Sequence, residues 1–214
     1  YSLGIKKENI RYIPNGVNTN VFKPSNKKGD LREKYDLPRE SLIMLYVGRL
    51  SKIKNPLALV RIFKESKKNL KDLILLIVGQ GEYSRKIKML NLSGIRVIDY
   101  IPHHFINEIY ALSDVFLMTS YYEGCPLSLL EALSSGLPCM IPNTIGARSL
   151  VTESKSGILI DTMITEKTMQ KIIDFLKNED LRIACAKNAR DYALKHLDWN
   201  IIADQYYKFF LETQ

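Results

Sequence analysis

Short apolar runs recur along the 214 residues, and between them lie segments whose apolar positions repeat every three or four residues. The runs fall at 42–47, 73–78, 95–98, 115–118, 139–141 and 158–160, each short and apolar enough for a buried strand. The helical patterns fall at 56–69, 82–90, 105–112, 127–135 and 148–153. Strands alternating with helices of this size imply βαβ units and a parallel sheet. The segment opened by Asn55-Pro56 shows the logic. Asn55 can cap a helix, Pro56 suits its first turn, and Leu59, Ile62 and Phe63 form one apolar stripe.

Upstream, residues 10–13 read as a short strand closed by Pro14-Asn15-Gly16, and residues 30–35 as a small helix that ends ahead of Pro38. From residue 166 the pattern is wholly helical, with one helix closing at Phe175-Leu176, a second over 180–195 and a third over 199–212. One domain spanning residues 1–214, with 196–214 as its terminal helix, is the expectation at this length.

Ligands of an open parallel sheet bind outside the carboxyl ends of its strands, so the loops there are where chemistry should lie. The most informative is Thr119 to Ala132, which carries Glu123-Gly124-Cys125-Pro126-Leu127-Ser128 and then Glu131. Gly124 permits a sharp turn, Pro126 suits the first helical position, and the first amides of the helix, lacking internal partners, can cradle an anion. Glu131 shares a helical face with Leu127, Leu130 and Ser134. A solvated surface Glu is the ordinary alternative, but a carboxylate among leucines needs a partner. After the run at 42–47, Gly48 lets a ligand approach the backbone, while Arg49 and Lys54 can reach a phosphate; solubility is their plainer explanation. Gly79-Gln80-Gly81 lacks the third glycine of a dinucleotide fingerprint.

Composition adds exclusions. Hydrophobic residues at 46% and charged ones at 25% describe a globular chain, and no apolar run approaches bilayer length. Cys125, Cys139 and Cys185 have no metal or disulfide spacing, which fits a reducing cytoplasm, and His103-His104 lack ligand partners. No D-x-D pair offers a bridging metal site. The net charge of +8 is uneven, with 17 Lys/Arg and 7 Asp/Glu in residues 1–72. That excess fits a solvated face, attraction to nucleotide phosphates, or contact with an anionic membrane surface.

With these residues in place, the chain resembles the C-terminal half of a GT-B-fold glycosyltransferase of the retaining family 4 type, from Asn9 onward. The resemblance rests on Ile13-Pro14-Asn15-Gly16-Val17-Asn18 with Phe22-Lys23-Pro24, on Val47 to Lys54, and on the Gly79-Gln80-Gly81 turn. Its centre is Glu123 to Ala132, which looks like the E-x7-E signature; Gly136-Leu137-Pro138 and Gly157 follow at familiar spacing.

The resemblance implies a Rossmann-like parallel sheet flanked by helices, with a helical tail. It implies that Arg49 and Lys54 bind a donor diphosphate, that Glu131 accepts ribose hydroxyls, and that Glu123 lies near the donor sugar. The backbone from Gly124 through Cys125, Pro126 and Leu127 to Ser128 would face the phosphates, with Gly48 close by, and Asp99-Tyr100-Ile101 would hold the base. The implied ligand is a nucleoside-diphosphate sugar, with no metal cofactor and no nucleic-acid partner. The implied reaction is sugar transfer to an acceptor hydroxyl with retention, in the cytoplasm or at the cytoplasmic membrane face. A start at Tyr1 and the lack of an acceptor half lead us to expect a piece of a longer chain, missing its N-terminal domain and inactive alone. The family usually has Asp at Asn18 and Gly at Asn55 and Asp99. A GT-B-type nucleotide-sugar epimerase and a non-catalytic nucleotide- or polyanion-binding module are the alternatives.

Overall fold

The computed structural model describes residues 4, 10–143 and 146–212; Asn9 and residues 213–214, which enter the sequence reading, lie outside these. Among the described residues the centre is a six-stranded, wholly parallel sheet. Its strands are β1 (Leu42–Val47), β2 (Leu73–Val78), β3 (Ile95–Ile98), β4 (Val115–Leu117), β5 (Cys139–Pro142) and β6 (Gly157–Ile160), in the spatial order β3-β2-β1-β4-β5-β6. The first three strands match their expected bounds, and the last three differ by a residue at one end. The helices are α1 (Lys28–Lys34), α2 (Pro56–Lys67), α3 (Ser84–Met89), α4 (Ile106–Leu112), α5 (Leu127–Ser134), α6 (Ala147–Ser154), α7 (Glu166–Lys177), α8 (Glu179–His196) and α9 (Trp199–Glu212).

Side chains alternate along each strand, so the sheet has two buried faces. Ile43 and Leu45 of β1, with Ile74 and Leu76 of β2, pack under α4, α5, α6 and α8. Met44 and Tyr46, with Leu73, Leu75 and Ile77, pack under α2, α3 and α7. Helices on both faces explain why these strands read as unbroken apolar runs rather than alternating ones. Among the described residues no helix is long and apolar enough to cross a membrane.

Three local expectations are corrected. Residues 10–13 form no strand: Ile10 and Tyr12 are 60% and 67% exposed, and β propensity without a neighbouring strand to pair with does not make one. Asn55 precedes α2, but its side chain makes no capping hydrogen bond; it sits at φ 50°, the left-handed region that Asn tolerates better than most residues. A glycine would adopt that geometry without strain. Pro126 is the N-cap of α5 rather than its first helical residue. α9 leaves apolar surface exposed, including Tyr207 at 64% and Leu211 at 55%.

The strand order places the site. The chain steps outward from β1 to β3, then returns to add β4 on the other side of β1. The connection leaving β1 goes to α2 on one face and the connection leaving β4 goes to α5 on the other, which opens a crevice between their carboxyl ends. Gly79 fits this end of the sheet together. It lies at φ 132°, and a Cβ there would sit 2.1 Å from the Gly48 carbonyl oxygen. Leu50 then donates its amide to Gln80 at 3.0 Å, tying the loop after β1 to the loop after β2. The glycines of Gly79-Gln80-Gly81 thus serve backbone packing. Gly79→Ala is expected to cost about 2 kcal/mol or more, from strain and the forced shift of the Gly48 turn. Urea unfolding checks it, and a loss below about 0.5 kcal/mol would contradict the packing role.

Candidate functional site

The loops after β1 and β4 meet in the crevice through backbone and side chain alike. A 3-10 turn at Lys52–Lys54 follows β1, and Tyr121 donates its amide to the Ile53 carbonyl at 2.9 Å. The Thr119 hydroxyl donates to the carbonyls of Lys54 and Asn55 at 3.1 and 3.0 Å. These bonds fix where Lys54 stands. Its ammonium reaches Glu123 Oε1 at 2.5 Å, although the two residues are 69 apart in sequence. The Ser120 hydroxyl donates to the same oxygen at 2.6 Å. The Glu123 side chain is only 9% exposed, and a carboxylate so buried needs such partners. Lys54 keeps further N–H donors for a second anion, and Glu123 Oε2 accepts no hydrogen bond among the described residues.

Glu131 lies on α5, half-buried, and its partner is Tyr110 of α4. The Tyr110 hydroxyl, wholly buried, donates to Glu131 Oε2 at 2.6 Å. Burial raises the Glu131 pKa above the usual carboxylate value, while the Tyr110 hydrogen bond and the nearby charge of His103 pull it down. Burial also pushes the Tyr110 phenol well up, so it stays a donor. This is the partner that a carboxylate among leucines requires. Leu130 and Ser134 on the same face are buried, whereas Leu127 is 53% exposed at the start of the helix.

Between the two acids runs Gly124-Cys125-Pro126 and the first turn of α5. Leu127 and Ser128 are at the helix start, where amides have no intrahelical partner. Pro126 has no N–H, so the expected cradle is reduced to the amides of Gly124, Cys125, Leu127 and Ser128. Gly124 has an ordinary negative φ, and a Cβ there would meet no protein atom within 4 Å. The turn itself does not need this glycine, contrary to expectation. The Asn15 side chain donates to the Cys125 carbonyl at 3.1 Å, which brings the Pro14-Asn15-Gly16 segment to the same loop.

Arg49 is exposed and makes no side-chain hydrogen bond or ion pair among the described residues; its carbonyl accepts from the Tyr46 hydroxyl at 2.9 Å. Gly48 holds a positive φ of 156°, and a Cβ there would press on the hydroxyl end of Tyr46 at 3.0 Å. Tyr100 is 74% exposed and Ile101 half-buried on the loop after β3. Asp99 turns its carboxylate to Lys88 at 2.5 Å, so its charge is directed toward α3. Asn18 accepts from the amides of Asn20 and Val21 at 3.1 and 3.2 Å, bonds an Asp would make equally well. The structure therefore brings Lys54 against Glu123 and sets the α5 start beside them, while no contact joins Arg49 to the pair. Sequence reasoning missed Tyr110, Ser120 and the proximity of His103 to Glu131. Two donated hydroxyls, one cation and a helix start make a site suited to a diphosphate and polyhydroxyl ligand.

Comparison with known proteins agrees with this arrangement. The family model for glycosyl transferases group 1 matches residues 27–192. The chain is 36% identical over 190 residues to the UDP-Gal:alpha-D-GlcNAc-diphosphoundecaprenol alpha-1,3-galactosyltransferase of Escherichia coli, covering 85% of this chain and 49% of that one. It therefore spans about half the length of that curated relative. Sucrose-phosphate synthase from Thermosynechococcus elongatus superposes with a TM-score of 0.82 at 25% identity, over 95% of this chain and 52% of that one. Anabaena HepE, solved in complex with UDP, gives 0.83 at 19% identity over 99% and 60%, a likeness of fold. The Rossmann-like sheet matches GT-B glycosyltransferase structures, and the chain belongs to the glycosyl transferases group 1 family.

Proposed function

We propose that this chain is the donor-binding, C-terminal half of a retaining, family 4 type glycosyltransferase that moves a sugar from a nucleoside diphosphate to an acceptor hydroxyl. The observation that carries the reading is the meeting of the Lys54–Glu123 pair, the start of α5 and the Tyr110-held Glu131 at the crevice where the strand order reverses. In this reading Lys54 and Arg49 neutralise the diphosphate, the amides of Gly124, Cys125, Leu127 and Ser128 face its oxygens, and Glu131 accepts the ribose hydroxyls. Glu123, held by Lys54 and Ser120, accepts hydroxyls of the donor sugar. Tyr100 and Ile101 border the base.

Barrier lowering comes chiefly from stabilising the leaving diphosphate with charges already in place. No metal is required, and the acceptor site lies in a part of the enzyme beyond these residues, so sugar transfer by the 214 residues alone should be negligible. The relative of Escherichia coli is named for a UDP-galactose donor, which makes UDP the first ligand to test. A plain polyanion-binding module gives no reason for a half-buried acid held by a tyrosine; a nucleotide-sugar epimerase would use the same acid, and the galactosyltransferase relative is what favours transfer over epimerisation.

Calorimetric titration with UDP, GDP and ADP in EDTA tests the binding claim; at least one should bind, and silence from all three at millimolar concentration would sink it. Glu131→Gln should weaken free diphosphate and nucleotide sugar alike, by about 1–3 kcal/mol or roughly one to two decades. Glu123→Gln should spare the free diphosphate and weaken only the nucleotide sugar. Equal effects of both substitutions on the free diphosphate would contradict this division.

The raised Glu131 pKa gives a pH dependence. The ionised carboxylate is the better acceptor and is lost on acidification, so affinity should fall between neutral pH and mild acid, with a midpoint above the usual Glu value. Tyr110→Phe removes a bond that favours the ionised form and should move that midpoint upward, at about 1 kcal/mol in affinity at neutral pH. An unmoved midpoint would reduce Tyr110 to packing. Gly124→Ala should leave the unfolding midpoint unchanged, since the added methyl meets no protein atom, yet weaken nucleotide binding. Unchanged affinity would mean the ligand does not approach this turn.

A further inference from the structure

A second cavity opens at the other end of the sheet. Asp114 stands just before β4 and Pro138 just before β5, and both line a space of about 230 Å³ at the amino-terminal ends of these strands. The facing wall is one side of α8, where Glu179, Arg182, Ile183 and Ala186 follow at helical spacing. Its volume lies below the range of about 300–1,000 Å³ that holds drug-sized ligands, so its occupant must be small.

The cations here outnumber the acids that need them. Asp114 is satisfied without Lys28: Arg32, whose side chain is 7% exposed, donates to its Oδ2 at 2.6 Å, and the Ile43 amide donates to the same oxygen at 2.7 Å. Lys28 reaches Oδ1 at 2.6 Å, and two of its three N–H donors are left over. Burial draws the Lys28 pKa below the usual lysine value against the pull of Asp114, and the charges of Arg32 and Arg182 act in the same direction as burial. Arg182 gives one N–H to the Leu176 carbonyl and makes no ion pair among the described residues. Lys28 and Arg182 therefore stand near each other as two cations that repel, and an anion between them would relieve both.

The polar groups beside them are hydroxyls and one carboxylate. Ser135, which ends α5, is 3% exposed, and its hydroxyl has no hydrogen-bond partner among the described residues. Ser66 and Asn107 share that condition, but Ser135 is the one that lines this cavity. A buried hydroxyl without a partner is rare in a folded protein and calls for an explanation. Ser25 accepts the Lys27 amide at 3.1 Å and keeps its O–H to donate. Glu179, exposed at the start of α8, makes no ion pair among the described residues. A bare anion would gain nothing from Glu179, whereas a ligand that carries hydroxyls beside its anionic group would use the carboxylate and both serines.

We infer that this cavity binds a small phosphorylated polyol, of triose to hexose size, with the phosphate between Lys28 and Arg182 and the hydroxyls toward Ser135, Ser25 and Glu179. The site is separate from the donor crevice, at the opposite ends of β4 and α5, and the inference does not depend on the donor reading.

The test is an amide-resolved NMR titration of the labelled 214-residue chain with glycerol 3-phosphate and glucose 6-phosphate, with inorganic phosphate and glycerol as controls. Saturable shifts are expected at the amides of Lys28, Ser135, Gly136 and Arg182 with at least one of the two esters. Lys28→Gln should weaken that binding roughly tenfold, since Arg32 still holds Asp114, and should leave UDP affinity unchanged. Ala186→Leu, which fills the cavity from α8, should abolish it, with thermal unfolding showing that each variant is folded. No saturable shift from either ester at ten millimolar would overturn the inference, as would shifts confined to the loops after β1 and β4. A folded Lys28→Gln that binds like the parent would overturn it as well. Inorganic phosphate binding as tightly as the esters would mark a plain anion site, and glycerol binding as tightly would mark a plain polyol site; either overturns the assignment.

Discussion

The return of β4 to the far side of β1 is the constraint on which the rest depends. Strands β1, β2 and β3 add outward in one direction, and the chain must then cross back, so the segments leaving β1 and β4 part toward opposite faces. The gap between them is unavoidable in this topology, and polar groups that enter it must find partners or remain wet. Lys54 and Glu123 are each other's solution, with Ser120 completing the carboxylate's shell. Thr119 holds the carbonyls of Lys54 and Asn55, so the two loops are locked before any ligand arrives. Preorganisation of this kind is what makes charge useful in stabilising a leaving group.

The same economy links glycines to the site. Gly79 and Gly81 let the loop after β2 press on the loop after β1, where any Cβ would strike the backbone of Gly48 or Leu50. Gly146, at φ 89°, likewise abuts the Gly124 carbonyl, where a Cβ would lie 2.1 Å away. Gly124 alone among these has open space around its missing side chain. Packing explains the others, whereas the space at Gly124 is the kind a ligand backbone or phosphate fills.

Much of the fold is legible in the sequence because its strands are buried on both faces. β1, β2 and β3 match their apolar runs residue for residue, and the tail helices follow their periodicity. The failures have a common physical cause. Residues 10–13 have strand composition, but strands exist only by pairing, and no neighbour is offered. Asn55 has capping chemistry, yet what the turn asks of it is a left-handed backbone. The acids of the site were visible through their spacing, whereas their partners were not: Tyr110 reads as one more aromatic on a helix, and Ser120 as a loop serine. The Tyr110 contact spans 21 residues and the meeting of Lys54 with Glu123 spans 69, so both are written in topology, whereas Ser120 stands three residues from Glu123 and only the folded turn aims its hydroxyl at the carboxylate.

The family membership, the crevice and the paired acids converge on one claim, that the carboxyl ends of β1 and β4 receive a nucleoside diphosphate. The most direct measurement is an amide-resolved NMR titration of the isotopically labelled chain with UDP in EDTA. The account predicts the largest shifts at the amides of Gly124, Cys125, Leu127 and Ser128 and at Lys54, with smaller ones along the loop after β3. Saturable binding with the largest shifts at the opposite, amino-terminal ends of the strands, or confined to α9, would contradict it.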